Sequence, residues 1–360
     1  MNKFNRRDFI KTSLFSGIAA TIIPAFAMET LAKQTKVTVD AATRVSLVTG
    51  TDRADMAFRT LQPLSKEIAQ AIGNKRVVIK PNLVSSTTQL SATNKETIEG
   101  ILEFYKSINK LENVIIAESA ADGPTMGAYD NYGFIPIAGK YKVKLVDLDD
   151  SPPQMLYAID ELDIRPKPLR MSSMMTDRNN FIMSVARMKT HDRVVATLTL
   201  KNVVVAAPIK DPGFNFGKNR KAGAKSDKAI VHGNGFRGIN YNLFNIAYHI
   251  HPDLAFIDGR DGMEGDGPTE GTLVDHKVCL AGLDWLSVDR VGIGLMGIDP
   301  SKIGYLNFCA DAGMGQFDIS KINIVGEKLA DHIIPYKLSR NIDKQMQWQV
   351  PLKEKGESLY

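Results

Sequence analysis

A lysine and an asparagine stand where an apolar run of the sequence ends. Residues 77–79 are Val, Val and Ile, and Lys80, Pro81 and Asn82 follow directly. The ammonium group of Lys80 would neutralise an anion, and Asn82 would add a hydrogen bond from a turn that the proline fixes. The alternative is a lysine whose stem is buried while its charged end reaches water. We predict that Lys80 and Asn82 bind substrate.

A second group of polar residues follows the apolar run at residues 181–185. Lys189 and His191 belong to it, and Lys201 and Asn202 come shortly afterwards. A lysine binds anions, and a histidine exchanges a proton near neutral pH, although a single histidine is more often structural. We predict that Lys189 and His191 are catalytic and that Lys201 and Asn202 bind substrate.

A glycine-rich acidic segment occupies residues 258–268. Asp258, Asp261, Glu264 and Asp266 present carboxylates there, and the glycines between them let the backbone turn tightly around a ligand. We predict that these four residues bind a divalent metal, and that Asp258 and Glu264 act in catalysis as acid or base. The alternative is a turn with solvated charges and a structural Asp258.

Several known motifs are absent from the sequence. It has no EF-hand spacing, no His-Glu-x-x-His pair, no Walker loop and no Gly-x-Ser-x-Gly elbow. The two cysteines, Cys279 and Cys309, are too few to ligate a cubane iron–sulfur cluster, so we do not expect that cofactor. Cys279 is predicted to be a buried strand thiol, with a disulfide to Cys309 as the alternative.

The segments that must position these residues alternate in type. Apolar runs rich in β-branched residues at 45–48, 77–79, 114–116 and 143–146 are separated by helix-like stretches such as 54–72. This alternation predicts an α/β fold, a mostly parallel, doubly wound, Rossmann-like sheet with helices on both faces, built as one domain or as two joined halves. Such a sheet gathers ligand-binding residues beyond the carboxyl ends of its strands.

Two stretches interrupt the alternation. Residues 152–175 are polar and contain prolines, and we predict an insertion or a crossing between halves. Residues 210–238 are rich in Gly, Lys and Asn, which predicts a long mobile loop. Its lysines, among them Lys218 and Lys228, would be either solvated or part of a cationic flap over an acidic substrate.

The N-terminus has the pattern of an export signal. Arg6 and Arg7 are followed by an apolar stretch at residues 14–26, which is too short to span a bilayer comfortably. A basic head, a short apolar middle and a small-residue end form a secretory signal, and the paired arginines indicate the twin-arginine route. We predict a signal peptide at residues 1–32, the twin-arginine translocase as a partner during export, and a periplasmic or otherwise extracytoplasmic location. The alternative is an uncleaved anchor helix.

The rest of the chain is predicted to form an α/β domain at residues 40–326 and a polar tail at 327–360. No other apolar run is long enough to cross a bilayer, so the mature chain is predicted to have no transmembrane segment. The net charge of +5 over 360 residues is mild. It does not indicate a nucleic acid partner, which usually requires a concentrated basic face.

Taken in order, several short motifs resemble the domain of unknown function 362 (DUF362) family. They run from residue 45 to residue 325 and include VVIKPNLV at 77–84, MKTH at 188–191, TLTLKN at 197–202, DLAFIDG at 253–259, EGDGP at 264–268 and residues 284–289 ahead of Gly297. The resemblance implies relatives with cysteine-rich, ferredoxin-like modules and redox chemistry. This chain lacks the cysteines for such a module.

Two functions are consistent with these residues. The first is an exported enzyme that acts on a small anionic substrate, carboxylated or phosphorylated, with metal assistance. The alternative is a non-catalytic ligand-binding protein, or a cofactor-carrying accessory of another exported redox enzyme. For the enzyme we predict that the polar residues at separate strand ends converge on one cleft: Lys80, Lys189, His191, Lys201, Asp258 and Glu264.

Overall fold

The computed structural model describes residues 43–215 and 221–350. The predicted signal peptide at 1–32, Lys218 and the last part of the predicted tail lie outside the described residues. The strands are β1 (Thr43–Thr49), β2 (Arg76–Lys80), β3 (Val114–Glu118), β4 (Lys144–Asp147), β5 (Pro153–Ile159), β6 (Pro166–Ser172), β7 (Asn180–His191), β8 (Val195–Thr197), β9 (Leu254–Glu264), β10 (Thr272–Val274), β11 (Val278–Gly282) and β12 (Ile322–Gly326).

Helices connect most of these strands. They are α1 (Arg53–Leu61), α2 (Ser65–Ile72), α3 (Lys95–Ser107), α4 (Thr125–Asn131), α5 (Phe134–Tyr141), α6 (Ser173–Thr176), α7 (Thr199–Ala206), α8 (Lys228–Val231), α9 (Phe236–Ala247), α10 (Trp285–Leu295), α11 (Gly304–Asp311) and α12 (Ile342–Gln345). Short 3₁₀ turns cover Gln62–Leu64, Gln89–Ser91, Leu111–Asn113, Leu148–Asp150, Pro300–Lys302, Ile319–Lys321, Leu329–His332 and Met346–Gln349.

Ten of the described strands form one sheet. Its order is β12-β1-β11-β9-β7-β2-β3-β4, with β8 added to β7 and β10 added to β9. Strands β9, β7, β2, β3 and β4 run parallel, as do β1 and β12, and β11 runs antiparallel to both of its neighbours. The prediction of a mostly parallel α/β sheet with β2 as an inner strand is confirmed.

Both faces of the sheet are covered, because successive side chains of a strand point to opposite sides. In β2, Val77 and Ile79 pack with α1, α2, α3 and α5, whereas Val78 packs with α7, α9, α10 and α11. The sheet is continuous across the described residues, so the chain forms one layered unit there and not two halves.

The two stretches that interrupt the alternation of strands and helices contain regular secondary structure of their own. Residues 152–175 contain the antiparallel pair β5–β6, a separate two-stranded ribbon whose prolines, such as Pro166 and Pro168, lie where a missing ladder donor is tolerated. The predicted loop at 210–238 contains α8 and the start of α9. The prediction of one long mobile loop over 210–238 is therefore wrong for that part, because these helices occupy it, Val231 packs into the core and Lys228 is buried.

The two cysteines are free and buried, as the strand-thiol interpretation of Cys279 requires. Cys279 belongs to the core on the α1–α3 side of the sheet, and Cys309 belongs to the core on the α9–α11 side. The sheet separates them, so the alternative of a disulfide is not realised. Throughout residues 43–215 and 221–350, each helix is too short or too polar to cross a membrane.

Candidate functional site

A cavity lies beyond the carboxyl ends of β2, β3 and β7, where α7 and α8 border it. Its volume is about 40 Å³. One water needs roughly 10–15 Å³ of such space, so the cavity has room for about three waters or for one small anionic group. Its charged lining consists of four lysines and one glutamate, and we call it the lysine cavity: Lys80, Glu118, Lys189, Lys201 and Lys228.

Lys80 is completely hydrogen-bonded at the base of this cavity. Its Nζ donates to Glu118 Oε2 at 2.8 Å, to Asn202 Oδ1 at 2.8 Å and to the carbonyl oxygen of Pro81 at 2.5 Å. Burial lowers the pKa of Lys80 below its ordinary value, and the Glu118 carboxylate opposes that shift. Three acceptors use all three N–H groups of an ammonium, so Lys80 is held as a charged, fixed residue.

Two asparagines connect Lys80 to Lys189. Asn202 Oδ1 accepts a second hydrogen bond from Asn82 Nδ2 at 2.7 Å, and Asn202 Nδ2 donates to Ser184 Oγ at 3.0 Å. Asn82 Oδ1 then accepts from Lys189 Nζ at 2.6 Å. The amides thus fix the relative positions of two lysines that come from different strands.

Lys189 is buried without an acid. Its Nζ also donates to the carbonyl oxygen of Ser91 at 2.8 Å, and no carboxylate within the described ranges lies at ion-pair distance. Burial lowers the pKa of Lys189 well below its ordinary value, and the positive charges of Lys201 and Arg187 lower it further. A neutral amine is therefore favoured at this position.

The side-chain polar atoms of Lys201 and Thr197 make no hydrogen bond to other described residues. Lys201 is only 6% exposed, and no hydrogen bond or ion pair joins its Nζ to another residue of the described chain. Burial lowers the pKa of Lys201 to about 8, although Asp192 partly opposes the shift. The buried Oγ1 of Thr197 likewise has no partner among the described residues. Thr197 is directly opposite Lys189 in the β7–β8 ladder, which places both side chains on the same face.

Lys228 enters the cavity from α8. Its Nζ donates to the carbonyl oxygens of Ala206 at 2.8 Å and Pro208 at 2.6 Å, at the end of α7. A cation at the carboxyl end of a helix is electrostatically favourable. Burial lowers the pKa of Lys228 to about 7, while nearby Asp149 opposes the shift.

His191 lies at the end of β7 but is not among the described residues that line the lysine cavity. Its Nδ1 accepts a hydrogen bond from the backbone N–H of Arg193 at 2.9 Å, and it lies 3.2 Å from Asp192 Oδ1. Burial and the charge of Lys201 lower the pKa of His191 well below its ordinary value. A catalytic role for His191 stays a prediction.

The β7–β8 hairpin, which contains Lys189, His191 and Thr197, is held in place by the C-terminal segment. Gln345 Nε2 donates to the carbonyl oxygen of His191 at 3.1 Å, and Gln345 Oε1 accepts from the N–H of Val195 at 2.6 Å. Val195 has a φ of +66°, a conformation that is strained for a β-branched residue. The segment predicted as a polar tail thus contains a buried glutamine that supports the cavity.

Asp258 is not among the described residues that line the lysine cavity. Its carboxylate accepts from Arg187 at 2.9 Å, from Arg53 at 3.2 Å and from the Thr97 hydroxyl at 2.8 Å. Burial alone would raise the pKa of Asp258, but Arg187 and Arg53 outweigh it and hold the pKa below its ordinary value. Asp258 is therefore a buried ion-pair partner apart from the lysine cavity, and its role as an acid, base or metal ligand stays a prediction.

The other predicted metal ligands also have partners, and Asp261 shares Arg53 with Asp258. Asp261 pairs with Arg53 and Arg260, Glu264 accepts from the N–H of Lys337 at 2.9 Å, and Asp266 accepts from Ser339 Oγ at 2.8 Å. Glu264 does not line the lysine cavity as the structure describes it. No group of three or more His, Cys, Asp or Glu side chains within residues 43–215 and 221–350 is arranged to hold a metal. The structure does not bring the four carboxylates together. Asp258 and Asp261 share Arg53, whereas Glu264 and Asp266 bind the C-terminal segment at Lys337 and Ser339.

The structure therefore brings together only part of the predicted set. The predicted residues that line the lysine cavity are Lys80, Asn82, Lys189, Lys201 and Asn202. Glu118 and Thr197 also line the cavity, and neither was predicted to belong to the site. Glu118 is the last residue of β3, so the strand-end rule that selected Lys80 would have found it. Lys228 was predicted to be either solvated or part of a cationic flap over an acidic substrate, and the structure places it in the lining of the cavity.

Comparison with known proteins places the site within a family. Residues 77–294 match the family described as Domain of unknown function (DUF362), and this range includes every charged residue of the lysine cavity. A thylakoid-associated protein of Synechocystis sp. is 22% identical over 230 residues, which cover 63% of this chain. The match spans 65% of that relative's own length, slightly less than two thirds.

Proposed function

This chain belongs to the DUF362 family, and from the lysine cavity within its family-matched residues we propose that it binds a small anionic substrate and acts on it. The substrate class is a carboxylate or a phosphorylated compound whose charged group occupies the cavity. Lys80, Asn82 and Asn202 form the fixed wall of the site, and Lys201 with Thr197 provides the free binding groups.

The observation that carries the proposal is the unpaired ammonium of Lys201. It shares a cavity with three other lysines and a single carboxylate, that of Glu118. A buried charge without a partner costs several kcal/mol, and a bound anion would remove that cost. The unpartnered hydroxyl of Thr197 adds a neutral donor at the same place.

The size of the cavity limits what enters it. About 40 Å³ suits one carboxylate or phosphate group. The proposal includes no metal step, because the carboxylates predicted as ligands are engaged by arginines and backbone N–H groups.

Sulfate binding tests the anion site. Isothermal titration of the purified protein should give saturable binding, and Lys201→Met should weaken it by about ten- to hundredfold, because a charge-assisted hydrogen bond is lost. Lys66→Gln is the control, since Lys66 is exposed on α2. Absence of sulfate binding, or equal binding by Lys201→Met, would contradict the proposal.

Catalysis is tested separately from binding. Small carboxylic and phosphorylated acids that displace sulfate would be incubated with the protein and followed by proton NMR. Chemical conversion that depends on Lys201 supports an enzyme. A ligand that binds and is recovered unchanged supports the non-catalytic ligand-binding alternative.

We also propose export by the twin-arginine route to an extracytoplasmic location. The support is the sequence pattern around Arg6 and Arg7. Replacing both arginines by lysine should leave the protein in the cytoplasm, as measured by fractionation and immunoblotting. Normal export of that double variant would contradict the assignment of the route.

A further inference from the structure

The buried lysines of the cavity differ in how many acceptors surround them. An ammonium has three N–H groups, whereas a neutral amine has two N–H groups and a lone pair. Among the described residues, Lys80 Nζ has three acceptors and Lys189 Nζ has two, Asn82 Oδ1 and the carbonyl oxygen of Ser91. The surroundings of Lys189 therefore satisfy an amine completely and leave its lone pair unused.

The charges around Lys189 favour the same form. The groups that act on it most strongly are the cations Lys201, Arg187 and Lys80, and the only acid among them, Glu118, is already bound to Lys80. Lys228 also has two acceptors, but its carbonyls end a helix and Asp149 lies near it, both of which stabilise a charge. Among the three hydrogen-bonded lysines of the cavity, Lys189 thus has the best conditions for an uncharged amine.

From this geometry we propose that Lys189 is a nucleophile that forms an imine with the carbonyl carbon of a small oxo acid. The inference rests on the proposed anion site: Lys201 and Thr197 would bind the acid's charged group while Lys189 reaches its carbonyl. A desolvated lysine next to another cationic group is an established way to obtain a reactive amine at neutral pH. Burial among cations, which lowers the pKa of Lys189, is consistent with this role.

The step is balanced without an oxidant or a reductant. The nitrogen lone pair attacks the carbonyl carbon, the C=O π pair moves to oxygen, and a proton passes from nitrogen to that oxygen. The carbinolamine then loses its hydroxyl with one proton as water, and the C=N bond forms. The bound carboxylate offsets the positive charge of a protonated imine among the cavity's cations.

Borohydride trapping tests the proposal with glyoxylate and pyruvate as probes. Binding of each acid, and its displacement by sulfate, would first be measured by titration. The full-length protein would then be treated with sodium borohydride in the presence of each acid and mapped by peptide mass spectrometry. We expect one reduced adduct on Lys189 of the wild-type protein, and protection of that residue by sulfate.

Variants show whether the amine itself is required. Lys189→Arg introduces a permanent positive charge and Lys189→Met keeps the apolar stem, and neither should form the adduct. The control Lys66→Gln should form it like the wild type. Because the adduct is located in the wild-type protein, the test does not depend on how well the variants fold.

The possible failures point to different steps. If glyoxylate and pyruvate compete with sulfate but no adduct forms, or the adduct lies on Lys80, Lys201 or Lys228, the role of Lys189 is overturned while the anion site stands. If sulfate binds but neither oxo acid does, the oxo-acid substrate class is wrong and the imine proposal with it. If none of the three anions binds, the proposed function itself fails.

Discussion

The carboxylate of Asp289 on α10 accepts two hydrogen bonds from Thr199 at the start of α7, one from the backbone N–H at 2.8 Å and one from the hydroxyl at 2.6 Å. The N–H of Leu200 adds a third at 3.3 Å. This contact fixes the first turn of the helix that presents Lys201 and Asn202 to the lysine cavity.

Asp289→Asn should change how stability depends on pH. Burial raises the pKa of Asp289 to about 7, above an ordinary value of 3.8. The folded state therefore binds a proton more tightly than the unfolded state, and this stabilisation is complete below pH 3.8 and lost as the pH rises through about 7. From about pH 4.5 to about pH 8, which covers most of that window, the free energy of unfolding of the wild type should fall by a few kcal/mol relative to that of Asp289→Asn.

Urea denaturation of both proteins across this range measures the difference. Asp299→Asn is the matched control, because Asp299 caps an exposed turn and the pKa of that carboxyl is lowered. A difference between wild type and Asp289→Asn that stays constant with pH would contradict the expectation.

Asp258→Asn should destabilise the protein without weakening anion binding. The substitution leaves the buried guanidinium of Arg187 and its neighbour Arg53 without their shared carboxylate, which costs about 3–5 kcal/mol for a buried pair. Denaturation measures the loss, and sulfate titration of the folded variant should give the wild-type affinity. A stable variant that no longer binds sulfate would contradict this expectation and would show that anion binding depends on Asp258.

Sulfate affinity should decrease as the pH rises, because the free cavity loses positive charge. The pKa of Lys228 is lowered to about 7 and that of Lys201 to about 8. Sulfate keeps its charge over this range, so the affinity should begin to fall near pH 7 and fall about tenfold per pH unit for each lysine that is deprotonated above its pKa. Titration from pH 6 to pH 9 (roughly the range of lowered lysine values) checks this, and a flat profile would contradict it.

Gln345→Ala should loosen the β7–β8 hairpin. The N–H of Val195 and the carbonyl of His191 would lose their partner, at a cost of about 1–3 kcal/mol for buried polar groups. Hydrogen exchange at Val195 should become faster, and sulfate affinity should fall because Thr197 lies in the same hairpin. Gln347→Ala, an exposed glutamine two residues away, is the control and should change neither quantity.

The parts of the fold that local pattern determines were predictable from the sequence. Apolar runs such as 77–79 identified inner strands, and the strand-end rule placed Lys80 and Lys201 at one cavity. The rule did not place Asp258 in this cavity, because the register of β9 with β7 sets this carboxylate against Arg187. Local pattern also gives no sign that Arg53, far away in sequence, neutralises Asp258.

The position of β1 has a consequence for the order in which the molecule assembles. β1 lies between β12 and β11, with Thr43 opposite Ile322 and Thr49 opposite Val278. β1 is the first described strand to leave the ribosome, and it cannot pair with β11 and β12 until they are synthesised much later. Such distant pairing slows folding, because the long chain segment between the strands loses conformational entropy before the stabilising contacts form. A nascent chain that stops before β11 would display the bare edges of β1 and β9, where other chains could add as strands.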